Sequence, residues 1–328
     1  MYGAVSQWID DEKYITCQPR FHVVHWCDEK TGTCVESDRS GGDWEKQMFL
    51  TGRCYIKNVQ TSSTKILQKC DYDPLTRYAP RCTDKGLGFA VALLDRGRVV
   101  VSNPLHNFQQ GTIGMMSENG RLENWSSLSS TSATVDKFFA DRPDELQSLP
   151  DDLFQKCHDK DPKCKAELVA NFDHTHLGLS MAPFGNMGVL VGAPHRYRSR
   201  LAGGVSFYPI RGRTIDQFES WVLDSSNFTD GSQMGELFGW SIAVGDFNND
   251  GHYDVAIGAP TWSSGSLINA GRVYIFIGPN ENNIFKQYLV IDGAFASKQF
   301  GTSLLVKDVD SGKETRSNQF TTVLNFFY

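Results

Sequence analysis

Five short segments of the chain repeat one pattern, and this repetition constrains the fold more than any other feature. Each segment opens with an aromatic residue or leucine followed by glycine, and the opening glycines are Gly3, Gly88, Gly178, Gly239 and Gly301. A proline follows 16 residues later in the first three segments and 21 residues later in the fourth. Three equal spacings and one local insertion indicate repeated structural units.

Each unit is expected to contain four short antiparallel strands. A similar strand-like run follows the proline in three copies, where it begins at Gly52, Gly203 and Gly271. Successive opening glycines are 85, 90, 61 and 62 residues apart, so the earlier units carry insertions. Units of about 60 residues with four strands are typical of β-propeller blades. Since one blade cannot bury both of its faces, neighbouring blades must stack. The sequence therefore predicts an all-β β-propeller.

The repeat starts divide the chain into five predicted units. They are residues 1–84 with a cysteine-rich loop, 85–175, 176–236, 237–298, and an incomplete unit with a divergent tail at 299–328. The second unit contains an insertion at about 126–171 that is first serine-rich and then acidic. Its apolar residues recur at roughly helical intervals. We predict either a solvated loop or a lobe that contacts a partner.

The five extra residues of the fourth unit fall in the stretch GDFNNDGHYD at residues 245–254. Oxygen-bearing side chains alternate there, and glycine occupies the sixth position, as in the D-x-[DN]-x-[DN]-G pattern of calcium loops. We expect Ca²⁺ to be bound by the side chains of Asp246, Asn248, Asp250 and Asp254 and by the backbone carbonyl of His252. Strand-like sequence flanks the loop, which favours a β-hairpin site over an EF-hand. A polar turn without metal is the alternative, and Mg²⁺ fits less well because it retains more water.

The matching connections of the other units lack this acidic spacing. The first three are short, at residues 8–13, 94–98 and 184–188, and are predicted to be tight turns without metal. The fifth unit has Asp308 and Asp310 but no third acid, and no site is predicted there.

The composition narrows the class of protein. A net charge of −6 argues against nucleic acid as a partner. The chain has no apolar run of about 18 residues that would span a membrane. Eight cysteines, without CxxC spacing, favour disulfides and an oxidising compartment over buried free thiols or a zinc site. Asn124 and Asn227 lie in glycosylation sequons. Because no signal peptide opens this otherwise secreted-type chain, we expect a fragment.

Catalysis is not predicted. The histidine pairs His22/His25 and His174/His176 lack a helical HExxH frame or a supporting acid, and ordinary loop or strand histidines are the favoured interpretation. The sequence also lacks a nucleophile elbow and a P-loop.

The aromatic-glycine start, the Gly-Ala-Pro end at residues 192–194 and 258–260, and the intervening calcium loop resemble the FG-GAP repeats of the integrin α-subunit β-propeller. The resemblance covers most of the chain. It implies a seven-bladed propeller of which about four and a half blades, from the second to the start of the sixth, are present. Such a partial ring would expose sheet edges and is expected to aggregate or fold only partly when isolated.

The resemblance also implies a role. The expected function is cell adhesion without catalysis, in which the chain pairs with an integrin β subunit and binds extracellular matrix outside the plasma membrane. The first interval leaves no room for an inserted A domain, and the unit counted as the fourth blade has no calcium loop. These two features favour the laminin-binding type. The alternative is another secreted FG-GAP propeller that serves as an accessory domain of a calcium-dependent hydrolase.

Disulfide connectivity follows from the same resemblance. It pairs Cys17 with Cys54 inside the second blade and Cys70 with Cys82 in the hairpin that follows. The remaining cysteines would then form local bridges, Cys27–Cys34 and Cys157–Cys164.

Overall fold

The computed structural model consists of strands, turns and one 3-10 helical turn at Asp95–Gly97 in the part of the chain that it describes. This part comprises residues 5–9, 11–18, 22–28, 34–35, 44–50, 52–67, 87–105, 111–116, 122–126, 175–196, 202–215, 221–224, 233–278 and 285–306. None of its helices is long and apolar enough to cross a membrane.

Four antiparallel sheets follow one another along the chain, and we number them sheets 1 to 4. Sheet 1 contains β1 (Val5–Trp8), β2 (Lys13–Gln18), β6 (Arg53–Asn58) and β7 (Thr64–Leu67). Sheet 2 contains β8 (Val91–Leu93), β9 (Val99–Asn103), β10 (Thr112–Met116) and β11 (Leu122–Ser126). Sheet 3 contains β12 (Ser180–Phe184), β13 (Gly188–Ala193) and β14 (Gly204–Arg211), with β15 (Thr214–Ile215) and β16 (Trp221–Asp224) both paired to β14. Sheet 4 contains β17 (Ser241–Gly245), β18 (Asp254–Ala259), β19 (Arg272–Ile277) and β20 (Lys286–Asp292).

A smaller sheet interrupts sheet 1 in the sequence. It contains β3 (His22–Asp28), β4 (Cys34–Val35) and β5 (Trp44–Leu50), with β3 in the middle. The all-β fold is confirmed, and the succession of antiparallel sheets is consistent with a β-propeller. The number of blades and the unit boundaries stay predictions.

Consecutive sheets stack face to face. Every residue of β9, β13 and β18 is buried, as expected for short apolar strands covered on both faces. One apolar cluster joins Leu190 and Phe207 of sheet 3 to Ile257 and Phe276 of sheet 4. Similar clusters lie between sheets 1 and 2 and between sheets 2 and 3. Burial of apolar surface contributes roughly 25 cal/mol per Å². Because these clusters are shared between sheets, each sheet gains this stabilisation only when its neighbours are present.

The same junction recurs between neighbouring units. A parallel bridge joins the glycine before the third strand of one sheet to the aromatic or leucine residue that opens the next unit. The bridges are Gly52–Leu87, Gly111–Leu177, Gly203–Phe238 and Gly271–Phe300. Four of the five predicted repeat starts therefore occupy equivalent positions.

Glycine is required at these starts for two reasons. Gly88, Gly178, Gly239 and Gly301 have φ between +86° and +93°, which L side chains rarely adopt. At Gly239 a Cβ atom would also lie 2.6 Å from the carbonyl oxygen of Gly204 in the preceding sheet. The motif thus marks a backbone conformation open to glycine at a close contact between units.

A serine hydroxyl strengthens two of the junctions. Ser180 Oγ donates to the carbonyl of Gly239 at 2.7 Å, and Ser241 Oγ donates to that of Gly301 at 2.6 Å. Each serine faces a glycine across its hairpin: Ser180 is paired with Gly192, and Ser241 with Gly258. The hydroxyl therefore links the inner hairpin of one unit to the first glycine of the next.

In sheet 2 the serine and the small residue have exchanged strands, compared with sheets 3 and 4. Ala90 takes the serine position, and Ser102 takes the glycine position on the facing strand. Ser102 Oγ accepts a hydrogen bond from Ala90 N at 2.9 Å and donates to Ala90 O at 3.3 Å. The hydroxyl is kept, but it bonds within its own hairpin.

In sheet 1 a disulfide lies next to the start of the following unit, as the serines do in sheets 3 and 4. Cys17 and Cys54 face each other on β2 and β6 and form a buried disulfide. A Cβ atom on Gly88 would lie 2.7 Å from Cys54 Sγ, so the disulfide packs against the start of the second unit. The register of β3 and β4 places Cys27 opposite Cys34.

The remaining predicted sites cannot be placed in the same way. Asn124 lies on β11. Cys70, Cys82, Cys157, Cys164, Asn227 and residues 127–171 of the predicted insertion lie outside the described residues.

Candidate metal-binding loop

The predicted metal loop connects the first two strands of sheet 4. Gly245 and Asp254 are the last cross-strand pair of β17 and β18, so residues 246–253 form the connection. In sheet 3 the equivalent pair is Phe184 and Gly188, which leaves a much shorter turn. The extra length gives the loop room to fold back on its own backbone.

Asp246, Asn248 and Asp250 are brought together by shared hydrogen bonds. The backbone N–H of Asp250 donates to Asp246 Oδ1 and to Asn248 Oδ1, both at 3.1 Å. Asp246 Oδ2 accepts from Gly251 N at 2.8 Å. Asn248 Nδ2 donates to Asp250 Oδ2 at 2.8 Å. Oxygens from the predicted ligands therefore converge on one turn of backbone.

Asp254 anchors the two ends of the loop. Its Oδ2 accepts from the backbone N–H groups of Phe247 at 2.7 Å and Asn248 at 3.3 Å. Its Oδ1 accepts from Gly278 N, just after β19, at 2.6 Å. The residue is fully buried. One carboxylate thus joins the loop entry, β18 and the end of the third strand.

Backbone conformation explains the glycine in the motif. Asn249 and Gly251 have φ of +59° and +82°. Asparagine tolerates the left-handed region better than most residues, and glycine enters it freely. No atom lies within 4 Å of a Cβ built on Gly251, so backbone conformation rather than crowding selects glycine there.

The loop concentrates negative charge. Burial raises the pKa of Asp254, and the nearby charge of Asp250 raises it further, against the backbone hydrogen bonds that lower it. The hydrogen bond from Asn248 and the N–H of His252 lower the pKa of Asp250. Among the described residues, no Lys or Arg forms an ion pair with Asp246, Asp250 or Asp254. Three carboxylates therefore share one loop whose sequence contains no Lys or Arg.

The donor set fits a hard cation. All four predicted side-chain ligands offer oxygen, which Ca²⁺ prefers over softer donors. Within the described ranges no three His, Cys, Asp or Glu side chains form a metal cluster by themselves, so the carboxylates need the oxygens of Asn248 and of the main chain. The prediction assigned the backbone carbonyl of His252 as a ligand. The structure shows an interaction of its backbone N–H instead, which donates a hydrogen bond to Asp250 Oδ1.

Comparison with known families covers this loop directly. Residues 238–276 match the FG-GAP repeat family. The matched segment spans β17, the acidic loop, β18 and nearly all of β19. Strand pairing, acidic loop and Gly-Ala-Pro end therefore occur together in one FG-GAP repeat.

The chain is also similar to integrin α subunits and to a phospholipase. Integrin alpha-D from Homo sapiens is 39% identical over 98 residues, which cover 29% of this chain and 8% of that protein. Integrin alpha-PS2 from Drosophila melanogaster is 36% identical over 80 residues, covering 23% and 6%. Phosphatidylinositol-glycan-specific phospholipase D from Dictyostelium discoideum is 44% identical over 52 residues, covering 16% and 6%. The match spans less than a tenth of each relative, and it does not single out the laminin-binding type.

Among solved structures, a Bacteroides uniformis protein described as a 6-phosphogluconolactonase superposes with a TM-score of 0.41 at 12% identity. The superposition covers 89% of this chain and 59% of that one. So distant a similarity carries no argument about fold or function.

The equivalent turn of sheet 2, between β8 and β9, contains an acidic residue that is paired with a cation. Asp95 forms an ion pair with Arg98, three residues later. Arg98 Nη1 also donates to the carbonyl of Gly212 in sheet 3 at 2.8 Å. This turn therefore carries its own cation, whereas residues 246–253 of the FG-GAP repeat include no Lys or Arg.

A second polar cluster lies at the opposite end of the FG-GAP repeat and was missed from the sequence. Tyr274 Oη donates to Glu236 Oε2 at 2.9 Å, and burial raises the pKa of this tyrosine, with the Glu236 charge adding to it. Arg272 donates two hydrogen bonds to Asp292 at 2.6 and 3.0 Å and lies 3.6 Å above the ring of Trp262. Asp292 is paired with a cation here, whereas among the described residues no Lys or Arg forms an ion pair with the carboxylates of the acidic loop.

Of the predicted pair His174/His176, only His176 lies within the described residues, and it contacts another histidine. The rings of His176 and His195 lie 4.6 Å apart, although the residues are distant in sequence. Burial lowers the pKa of His195, and His176 lowers it further.

Proposed function

We propose that this chain is part of an integrin-α-like adhesion receptor whose β-propeller binds Ca²⁺ at residues 246–254. The acidic hairpin loop inside an FG-GAP repeat carries the proposal, because it gathers three carboxylates in a segment that contains no Lys or Arg. Similarity to human and fly integrin α subunits supports it. The proposed role is non-catalytic.

Ca²⁺ would be held by the side chains of Asp246, Asn248, Asp250 and Asp254 and by the His252 carbonyl. When bound, the ion supplies positive charge that offsets the carboxylates. The chain itself supplies the rest of the arrangement. Gly251 turns the backbone with a φ of +82°, and buried Asp254 joins the loop to the end of β19.

The proposed partners follow from the integrin relatives. The chain would associate with an integrin β subunit and bind an extracellular matrix protein at the outer face of the plasma membrane. A laminin-like ligand is favoured because the turn after Phe184 has no acidic residue in the unit counted as the fourth blade. Glycosylation at Asn124 and Asn227 and the disulfides suit that location.

A second candidate function is that of an accessory propeller in a calcium-dependent hydrolase. The Dictyostelium phospholipase D match favours it, as does the human phospholipase D, which is 35% identical over 77 residues. In this case the acidic loop would still bind Ca²⁺, but the chain would not associate with a β subunit.

Calcium titration of the full 328-residue chain tests the site. Calorimetry should detect Ca²⁺ binding in wild type and a loss of binding in an Asp246→Asn, Asp250→Asn double variant. At free Ca²⁺ of 100 times Kd, the ion should stabilise the fold by about 2.7 kcal/mol. Asp95→Asn, in the turn that has its own arginine, is the matched control and should bind like wild type. Equal binding by the double variant would refute the site.

Coexpression with integrin β subunits tests the role. An integrin-α-like chain should copurify with a β subunit in the presence of Ca²⁺. If no β subunit copurifies although Ca²⁺ binding is intact, the adhesion proposal fails and the accessory-propeller candidate is favoured.

A further inference from the structure

Two aromatic side chains lie within the acidic loop, each next to proposed ligands. Phe247 follows Asp246, and Tyr253 precedes Asp254. The backbone of Phe247 is hydrogen-bonded to a proposed ligand, since Phe247 N donates to Asp254 Oδ2 at 2.7 Å. Tyr253 is joined to the same ligand by the peptide bond to Asp254. A change in the position of Asp254 therefore bears on the backbone of Phe247 through the hydrogen bond and on that of Tyr253 through the chain.

Tyr253 reaches back to the preceding unit. Its ring centroid lies 5.6 Å from that of Phe184, at the end of β12, with an angle of 56° between the rings. A Cβ built on Gly185 would lie 2.6 Å from Tyr253 Cε2, so the tyrosine ring rests on the turn of sheet 3. Phe184 is buried and also contacts Phe207 and Phe285, which places the contact at the edge of the core between sheets 3 and 4.

Phe247 reaches forward to the next unit. It packs on an apolar cluster that combines sheet 4 with Leu304 and Val306, which follow the fifth repeat start. A Cβ built on Gly245 would lie 2.9 Å from Val306 Cγ1 and 3.3 Å from Phe247 Cε1. The entry of the loop is therefore in contact with residues 304–306.

We propose that the loop is a cation-dependent brace across three consecutive units, in which binding of Ca²⁺ at residues 246–254 and packing of Tyr253 and Phe247 on the two neighbouring units stabilise each other. This inference rests on the proposed calcium site. Linkage makes the coupling reciprocal: if the ion favours the packed positions of the aromatics, the packed aromatics must raise the affinity for the ion by the same factor.

Gly185 allows the coupling to be tested from outside the loop. Its φ is +54°, and a methyl group there would displace Tyr253. Gly265 is the matched control, because its φ is +53° and no atom lies within 4 Å of a Cβ built on it. Both alanine variants carry the same backbone strain, but only Gly185→Ala disturbs the contact between units.

The expected result is a difference in calcium affinity. In the full chain, Gly185→Ala and Tyr253→Ala should each weaken Ca²⁺ binding by about 5-fold or more, at the lower end of the usual range of coupling between sites. Gly265→Ala should leave the Kd unchanged. If Gly185→Ala and Tyr253→Ala both bind Ca²⁺ like wild type, the brace is refuted.

Hydrogen exchange then locates the effect. In wild type, Ca²⁺ should slow amide exchange in β12 and β13 and in residues 301–306, besides the loop itself. Tyr253→Ala should abolish the protection of β12 and β13 only, and Phe247→Ala that of residues 301–306 only. Protection confined to sheet 4 would overturn the inference while the calcium site stands. If wild type and the Asp246→Asn, Asp250→Asn variant do not differ in Ca²⁺ binding, the proposed site and the brace fail together.

Discussion

The junction glycine Gly239 offers a direct test of how the units are held together. Replacing it with alanine places a side chain at φ +91°, where an L residue costs about 1–2 kcal/mol. The new Cβ would lie 2.6 Å from the Gly204 carbonyl oxygen. That oxygen belongs to β14, which is paired on both sides by β13 and β16, so it cannot move away freely. Overpacking of this kind costs about 1–3 kcal/mol more.

Two other glycines separate the contributions. Gly235 has φ +78° with no atom within 4 Å of a Cβ built on it, so Gly235→Ala measures strain alone. Gly258 has no strained φ, but its Cβ would collide with the Gly301 carbonyl, so Gly258→Ala measures crowding alone. We expect Gly239→Ala to lower the free energy of unfolding by about 2–5 kcal/mol and Gly235→Ala by about 1–2 kcal/mol.

Urea and thermal unfolding of the full chain provide the measurement, with the m-value monitored to ensure that the same transition is compared. Equal losses in Gly239→Ala and Gly235→Ala would show that the close approach to Gly204 does not constrain the junction. A neutral Gly258→Ala would refute the same reasoning at the next junction.

Three further variants probe other parts of the fold. Ser241→Ala removes the hydrogen bond to Gly301 O and should destabilise the chain by about 1–2 kcal/mol in urea unfolding; an unchanged midpoint would contradict this. Cys17→Ser with Cys54→Ser opens a closure of 37 residues and should cost about 3–4 kcal/mol under non-reducing conditions; equal stability of variant and oxidised wild type would contradict it. For His195, whose pKa is lowered by burial, the neutral form is favoured in the fold, so its contribution to stability is present above pH about 6.5 and is lost as pH falls through the folded pKa. His195→Gln should therefore flatten the decline in Tm between pH 7.5 and 5, and parallel profiles would exclude this role.

The repeat starts were predictable from sequence because glycine there has a local cause. Only glycine combines the positive φ with the close approach, so the motif survives at Gly88, Gly178, Gly239 and Gly301 while neighbouring residues vary. The small sheet of β3 to β5 was predicted only as a cysteine-rich loop. The pairing of β3 with β5 runs from His22–Leu50 to Asp28–Trp44, and nothing in the local sequence pattern fixes such a register.

The close grouping of Asp246, Asn248 and Asp250 was predictable for a similar reason, while their role as metal ligands stays a prediction. Alternate spacing in a tight loop places Asp246, Asn248 and Asp250 on one side, whichever fold carries it. The roles of Phe247 and Tyr253 were not predictable, because their partners belong to other units. The position of serine at residue 102 rather than residue 90 was also not predicted to matter, since the two residues are seen to face each other only once the strand register is known.

The exchange of serine and small residue in sheet 2 has a consequence for how the repeat can change over evolutionary time. The hydroxyl belongs to a pair of facing positions rather than to one position, as Ser180 with Gly192 and Ala90 with Ser102 show. If single substitutions move the serine from one strand of the hairpin to the other, the intermediate sequence has either a serine at both facing positions or a serine at neither. The first crowds two hydroxyls into the space of one, and the second loses the hydrogen bond. The two positions are therefore expected to covary among homologues, and each residue's tolerance should depend on which substitution came first.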